Sequence, residues 1–75
     1  MISMVKYLVV FEKTNTGYSA YVPDLPGCIA TGRNKSIVEK NIIEAIQFHL
    51  EGMKEEKIKI PLSKTEADTF VFAIR

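Results

Sequence analysis

Apolar and polar residues alternate with a period of two in several stretches of this chain, and one longer stretch keeps the helical period instead. From Met4 to Lys13, Tyr7, Val9 and Phe11 fall on one side of an extended backbone and Leu8 and Val10 on the other. Both sides are apolar in the middle, which predicts a strand covered on two faces, one of them open to a partner chain. Thr14-Asn15-Thr16-Gly17 reads as a turn, with Asn15 and Gly17 able to take left-handed φ, and so as the bend of a hairpin. Tyr18 to Val22 forms the second strand, with Tyr18, Ala20 and Val22 on one face and Ser19 and Tyr21 on the other. One tyrosine therefore belongs in the core and one outside. Cys28 to Thr31, bounded by Gly32, suits a third strand. Thr69 to Arg75 suits a last one, with Phe70, Phe72 and Ile74 opposite Val71 and Ala73.

Between the third and last strands the period changes. Ser36 followed by Glu39 has the capping-box spacing, predicting a helix from about Ile37 to Met53. Its apolar arc is broad: Val38, Ile42, Ile43, Ala45, Ile46, His49, Leu50 and Met53, with Ile37 and Phe48 at the far edge. Only Lys40, Glu44, Gln47 and Glu51 make a clean polar stripe, so apolar surface is left over after packing on one sheet face. Gly52 weakens the last turn, and KEEKIKIPLS reads as a charged connector that Pro61 keeps from being helical. The order is β-β-β-α-β. It predicts an α+β fold, a three-stranded antiparallel sheet plus a fourth strand with one helix packed on a face, in a single domain over residues 1–75.

The second and third strands meet at Pro23-Asp24-Leu25-Pro26-Gly27. Each proline fixes φ and lacks an N–H, and Gly27 permits a φ that other residues resist, so the chain turns here with a set shape. Asp24 is expected to bond the backbone two residues on, as a turn residue, or else to belong to a recognition loop.

Size and charge narrow the choices. A chain of 75 residues buries only about 60% of its unfolded surface and is marginal alone. The single Cys28 makes no internal disulfide, which leaves oligomerisation to hide apolar area. The net charge of +1 with dispersed lysines gives no basic stripe for nucleic acid. No leader peptide is visible in MISMVKYLVVF and no stretch reaches the roughly 20 apolar residues of a membrane span, so the cytoplasm is expected. His49 reads as a packed side chain with one hydrogen-bond partner, and Cys28 as a buried apolar filler. Neither has companions to hold a metal, and no cofactor is expected.

Tyr21-Val22-Pro23-Asp24-Leu25-Pro26-Gly27-Cys28 and His49-Leu50-Glu51-Gly52-Met53, with the spacing between them, resemble the HicB-type antitoxin family of bacterial and archaeal toxin-antitoxin pairs, and the likeness covers nearly the whole chain. The resemblance implies a partial ribonuclease-H-like fold without enzymatic activity. It implies a small basic HicA-like toxin as partner, an mRNA-cleaving protein that the antitoxin blocks by covering its active surface. Many members of the family continue into a helix-turn-helix or ribbon-helix-helix segment that binds operator DNA; through Arg75 no such segment is present, and direct nucleic-acid binding by this chain alone is not expected.

Contact with a toxin or a second subunit is expected at Tyr18, Tyr21, Pro23, Asp24, Leu25, Pro26 and Phe48, since tyrosine and exposed apolar groups supply interface area. The rival reading is a stand-alone homodimer or higher homo-oligomer with a structural or regulatory role. A third is a cryptic nuclease, for which Glu12, Asp24 and Asp68 would be the available carboxylates.

Overall fold

A computed structural model describes residues 4–75; the first three residues of the expected 1–75 domain lie outside the described residues. Three strands, β1 (Val10–Lys13), β2 (Tyr18–Tyr21) and β3 (Ile29–Gly32), form an antiparallel sheet in the order β1-β2-β3, and helix α1 (Lys35–Glu55) packs on one face. The α+β layer is therefore as the periodicity predicts.

The ladder decides which residues share a face. Phe11, Ala20 and Ala30 are cross-strand partners on the helix side, and Val10, Tyr21 and Ile29 on the other. The core beneath the helix consists of Ala20, Val22, Leu25, Cys28, Val38 and Ile42, with Tyr7, Val9, Phe11 and Tyr18 packed against it. Tyr7, Val9 and Phe11 thus face one way, although residues 4–9 belong to no ladder and β1 is shorter than the alternation predicts.

The hairpin turn holds by other means than expected. Thr14 N–H donates to the Gly17 carbonyl at 2.8 Å, and Gly17 N–H to Thr14 Oγ1 at 3.0 Å. Neither Asn15 nor Gly17 takes a positive φ. Gly17 is required by proximity instead: a Cβ there would stand 2.2 Å from the Gly32 carbonyl oxygen.

The helix starts earlier than the Ser36/Glu39 pair predicts. Asn34 is the cap, its Oδ1 accepting from Ile37 N–H at 2.9 Å. Lys35 then sits 5.0 Å above the Phe11 ring, joining helix start to β1. Gly52 does not stop the helix, which runs to Glu55. It ends in a Schellman arrangement: Ile58 N–H donates to the Met53 carbonyl at 2.8 Å and Lys57 N–H to Lys54 at 3.1 Å, with Lys57 at φ +57°.

The expected fourth strand is not formed among the described residues. Thr69–Arg75 joins no ladder and its apolar side chains are exposed, Val71 at 94% and Phe72 at 80%. The connector before it is held at the corner by Asp24, beside Lys6, Tyr7 and Leu8, and the segment that follows adds no rung to the sheet among the described residues.

Candidate functional site

The corner between β2 and β3 is closed by its own backbone. Val22 N–H donates to Cys28, Leu25 N–H to Val22 and Cys28 N–H to Leu25, at 3.1, 3.0 and 3.0 Å. Pro23 and Pro26 have no N–H to satisfy, so a compact turn leaves few orphan donors. Gly27 has φ +84° and open space where a Cβ would stand, so its backbone freedom is what the turn uses. Leu25 points inward and is 0% exposed: it supports the corner from below and touches nothing outside. Burial also raises the Cys28 thiol pKa, which keeps it protonated and inert, as a core filler should be.

Asp24 does not bond within its own turn. Its Oδ2 accepts from the backbone N–H groups of Lys64 and Thr65 at 2.8 and 3.0 Å, and Oδ1 from the Thr65 hydroxyl at 2.9 Å. The bond from Lys64 N–H is the largest influence holding this carboxyl below the usual range. Nearby, the Tyr7 hydroxyl donates to the Pro61 carbonyl, and burial, then the charge of Asp24, raises its pKa. Corner, N-terminal segment and connector are therefore joined by one polar clasp, with a partner some forty residues away in sequence that no local rule points to.

Two surfaces flank this scaffold. On the open face of the sheet, Val10, Tyr21 and Ile29 form a row across all three strands, bordered by the polar row Glu12, Ser19 and Thr31. Tyr21 is 39% and Ile29 62% exposed. Tyr18 sits on the inner face, half-buried against the core, which settles which tyrosine is inside. The second surface is on the helix, where Phe48 is 79% exposed beside a shallow groove lined by His49, Gly52, Met53 and Ile58. Ile43 is exposed on the opposite flank, so the surplus apolar area lies on two edges of the helix. His49 is half-buried and makes no side-chain hydrogen bond among the described residues.

The corner residues Pro23, Asp24 and Pro26 adjoin Tyr21 in the chain, while Phe48 belongs to the helix layer, across the sheet from Tyr21. They form two patches. Val10 and Ile29 were missed as surface candidates; the alternation of β1 and β3 already placed them beside Tyr21 once the strands pair. Among the described residues no three His, Cys, Asp or Glu side chains gather as a metal site, and Glu12, Asp24 and Asp68 are not brought together.

A family model described as the HicB_like antitoxin of bacterial toxin-antitoxin system matches residues 7–72. The chain belongs to the HicB-like antitoxin family. A chain of the solved HicA3 and HicB3 toxin-antitoxin complex is similar to this HicB-like protein at 33% identity and a TM-score of 0.64, covering 73% of this chain and 64% of that one. An uncharacterized 14.9 kDa protein from the rep-hol intergenic region of Haemophilus phage HP1 is 46% identical over 57 residues, 76% of this chain and 43% of the phage protein. A UPF0150 protein of Helicobacter pylori strain J99 is 37% identical over 49 residues, 65% of this chain and 68% of that protein. The HicB-like chain thus spans less than half of the phage protein's length. Its family is the non-enzymatic component of a toxin-antitoxin system. No helix among the described residues is long and apolar enough to cross a membrane.

Proposed function

We propose that this HicB-like chain, one domain over 1–75, is the antitoxin of a type II pair. It binds a small basic HicA-like toxin that cleaves mRNA and blocks it by steric occlusion. The likeness to a chain of the HicA3 and HicB3 complex supports this most directly. The partial ribonuclease-H-like fold belongs to the same reading, with Thr69–Arg75 as its fourth strand, as does a cytoplasmic location.

The proposed contact surface centres on Tyr21, Pro23, Asp24 and Pro26, extended by Val10 and Ile29 on the open face. Tyr18 and Leu25 hold that surface from the core side. Phe48, on the helix layer, serves a second contact apart from this surface. Near-neutral charge leaves a basic partner unrepelled, and Tyr21 in an apolar row rimmed by polar residues has the makeup of an interface centre.

The test is recovery of the tagged protein from its host with every stoichiometric companion weighed. The expected companion is a small basic protein that alone stops growth by degrading mRNA. Tyr21→Asp should then release growth arrest while the fold, followed by circular dichroism, persists. If only multiples of this chain are recovered, the antitoxin reading falls and the stand-alone homo-oligomer, supported by the exposed helix flank, takes its place.

A further inference from the structure

The segment after the clasp is the least explained part of the molecule. Thr69–Arg75 alternates as a strand does, yet Phe70, Val71, Phe72 and Ile74 are 74–94% exposed and no hydrogen bond ties residues 66–75 to the rest of the described chain. It projects: the molecule measures 53 × 26 × 21 Å and its radius of gyration is 14.8 Å, against about 11 Å for a compact chain of this length. An extended apolar arm in water is unfavourable and is a template for pairing.

The same chain carries the complementary feature. β1 is an edge of the sheet, and residues 4–9 that precede it belong to no ladder. We infer that Thr69–Arg75 is a strand exchanged between two copies of this chain, each arm adding to the free β1 edge of the other. This deepens the homo-oligomer part of the proposed function by naming the element exchanged, and it does not depend on the existence of a toxin.

Three observations favour a second copy. First, the arm leaves its own sheet: Ser63–Glu66 lie beside Lys6, Tyr7 and Leu8, and Lys64 and Thr65 are held by Asp24, after which the chain runs outward instead of along its own β1. Second, the match is reciprocal: β1 and β3 are both edges, but the arm departs beside Lys6, Tyr7 and Leu8, which lead into β1. Each copy therefore offers one arm and the β1 edge next to it, and a two-fold pair satisfies both and closes. The area suffices as well: two phenylalanines per arm bury roughly 300 Å², and two arms with the surfaces they cover reach the roughly 1,200 Å² at which stable interfaces begin. Third, the side chains of TFVFAIR include no carboxylate and one cation, Arg75, a poor match to a basic protein, while its apolar side chains suit the apolar Val9-Val10-Phe11 edge.

Reach is adequate: the ten residues from Glu66 to Arg75 span about 33 Å when extended. The exchange would cover the phenylalanines and remove an exposed edge in one step.

Light scattering on the full chain should give a dimer, and Val71→Pro, which removes an N–H and fixes φ in mid-strand, should give a monomer whose circular dichroism keeps the sheet and helix. A monomeric full chain overturns the proposal, and so does a Val71→Pro dimer, which would assign association to the helix flank. A second measurement avoids reliance on that variant. In a Cys28→Ala background, chains carrying Glu12→Cys are co-refolded with chains carrying Phe70→Cys, Val71→Cys or Phe72→Cys and oxidised. A disulfide between the two kinds of chain is expected. No disulfide with any of the three, or closure within one chain carrying both substitutions, overturns the exchange. A monomer that still neutralises a toxin refutes the exchange alone; a dimer that fails to neutralise refutes the antitoxin reading alone.

Discussion

The corner at residues 18–32, with two prolines, and the tail at residues 58–75, with one, share β-prone alternation and polar turn formers, yet they fold to opposite extremes. At the corner, two strands are joined by a short closed turn, so pairing has little loop entropy to overcome, and Leu25 and Cys28 are sealed in the core. In the tail the alternation of Phe70, Phe72 and Ile74 is as regular, but those side chains face water. Alternation tells which side of a strand a residue would occupy. Whether a strand forms depends on a partner edge being taken up, and the tail, held at Lys64 and Thr65 by Asp24, pairs with none among the described residues.

That contrast can be broken at its strongest point first. Leu25→Ala should cost about 3 kcal/mol in urea unfolding, the usual loss for a fully buried leucine. Phe72→Ala should leave the stability of a monomeric form nearly unchanged, since its ring touches little within the chain. A comparable loss from both, in a monomer, would erase the distinction. Gly27→Ala comes next, at about 1 kcal/mol, because φ +84° strains any side chain even in open space; an unchanged thermal midpoint would show that the turn relaxes.

Lys57→Gly tests the opposite sign. Lysine holds the left-handed position that ends α1, so glycine there should raise stability by somewhat under 1 kcal/mol, visible as a higher melting temperature. The smallest effect is expected from Asp24→Asn, and it is a matter of pH. The folded carboxyl titrates below its ordinary value, so its contribution is present above the ordinary aspartate range and is lost as pH falls through the lowered value. Stability of the natural chain should therefore drop more steeply on acidification than that of Asp24→Asn; parallel curves would mean that the clasp carries no linked stability.

Short-range features were legible in the sequence. The facing of Tyr7, Val9 and Phe11, the hairpin, the turn at Gly27 and the presence of one helix all follow from spacing and backbone preference. The start of that helix did not, because Ser36 and Glu39 have capping-box spacing while Asn34, two residues earlier, has the free oxygen and the extended backbone a cap needs. The role of Gly17 was hidden for a different reason: it answers to Gly32 across the sheet, a neighbour that exists only after folding. Of the surface candidates, alternation separated Tyr18 from Tyr21 without orienting either, and burial of Leu25 was concealed by its place in a loop. Asp24 looked like a turn former because local bonds are the default for that residue; its real partners come from the far end of the chain.

The clasp also bears on how this protein can change. Asp24 holds Lys64 through a main-chain N–H, a group that nineteen of the twenty amino acids would offer. Variation at position 64 is thus nearly invisible to the fold, proline excepted, whereas variation at position 24 is not, and Thr65 lies between because its hydroxyl is also used. A library randomised at 24, 64 and 65 and sorted for folded protein should return a nearly flat choice at 64 and one narrowed to aspartate and asparagine at 24, the side chains that put an acceptor oxygen there. Drift can rewrite the side chains along the connector while the carboxylate on the corner goes on fixing where the tail departs.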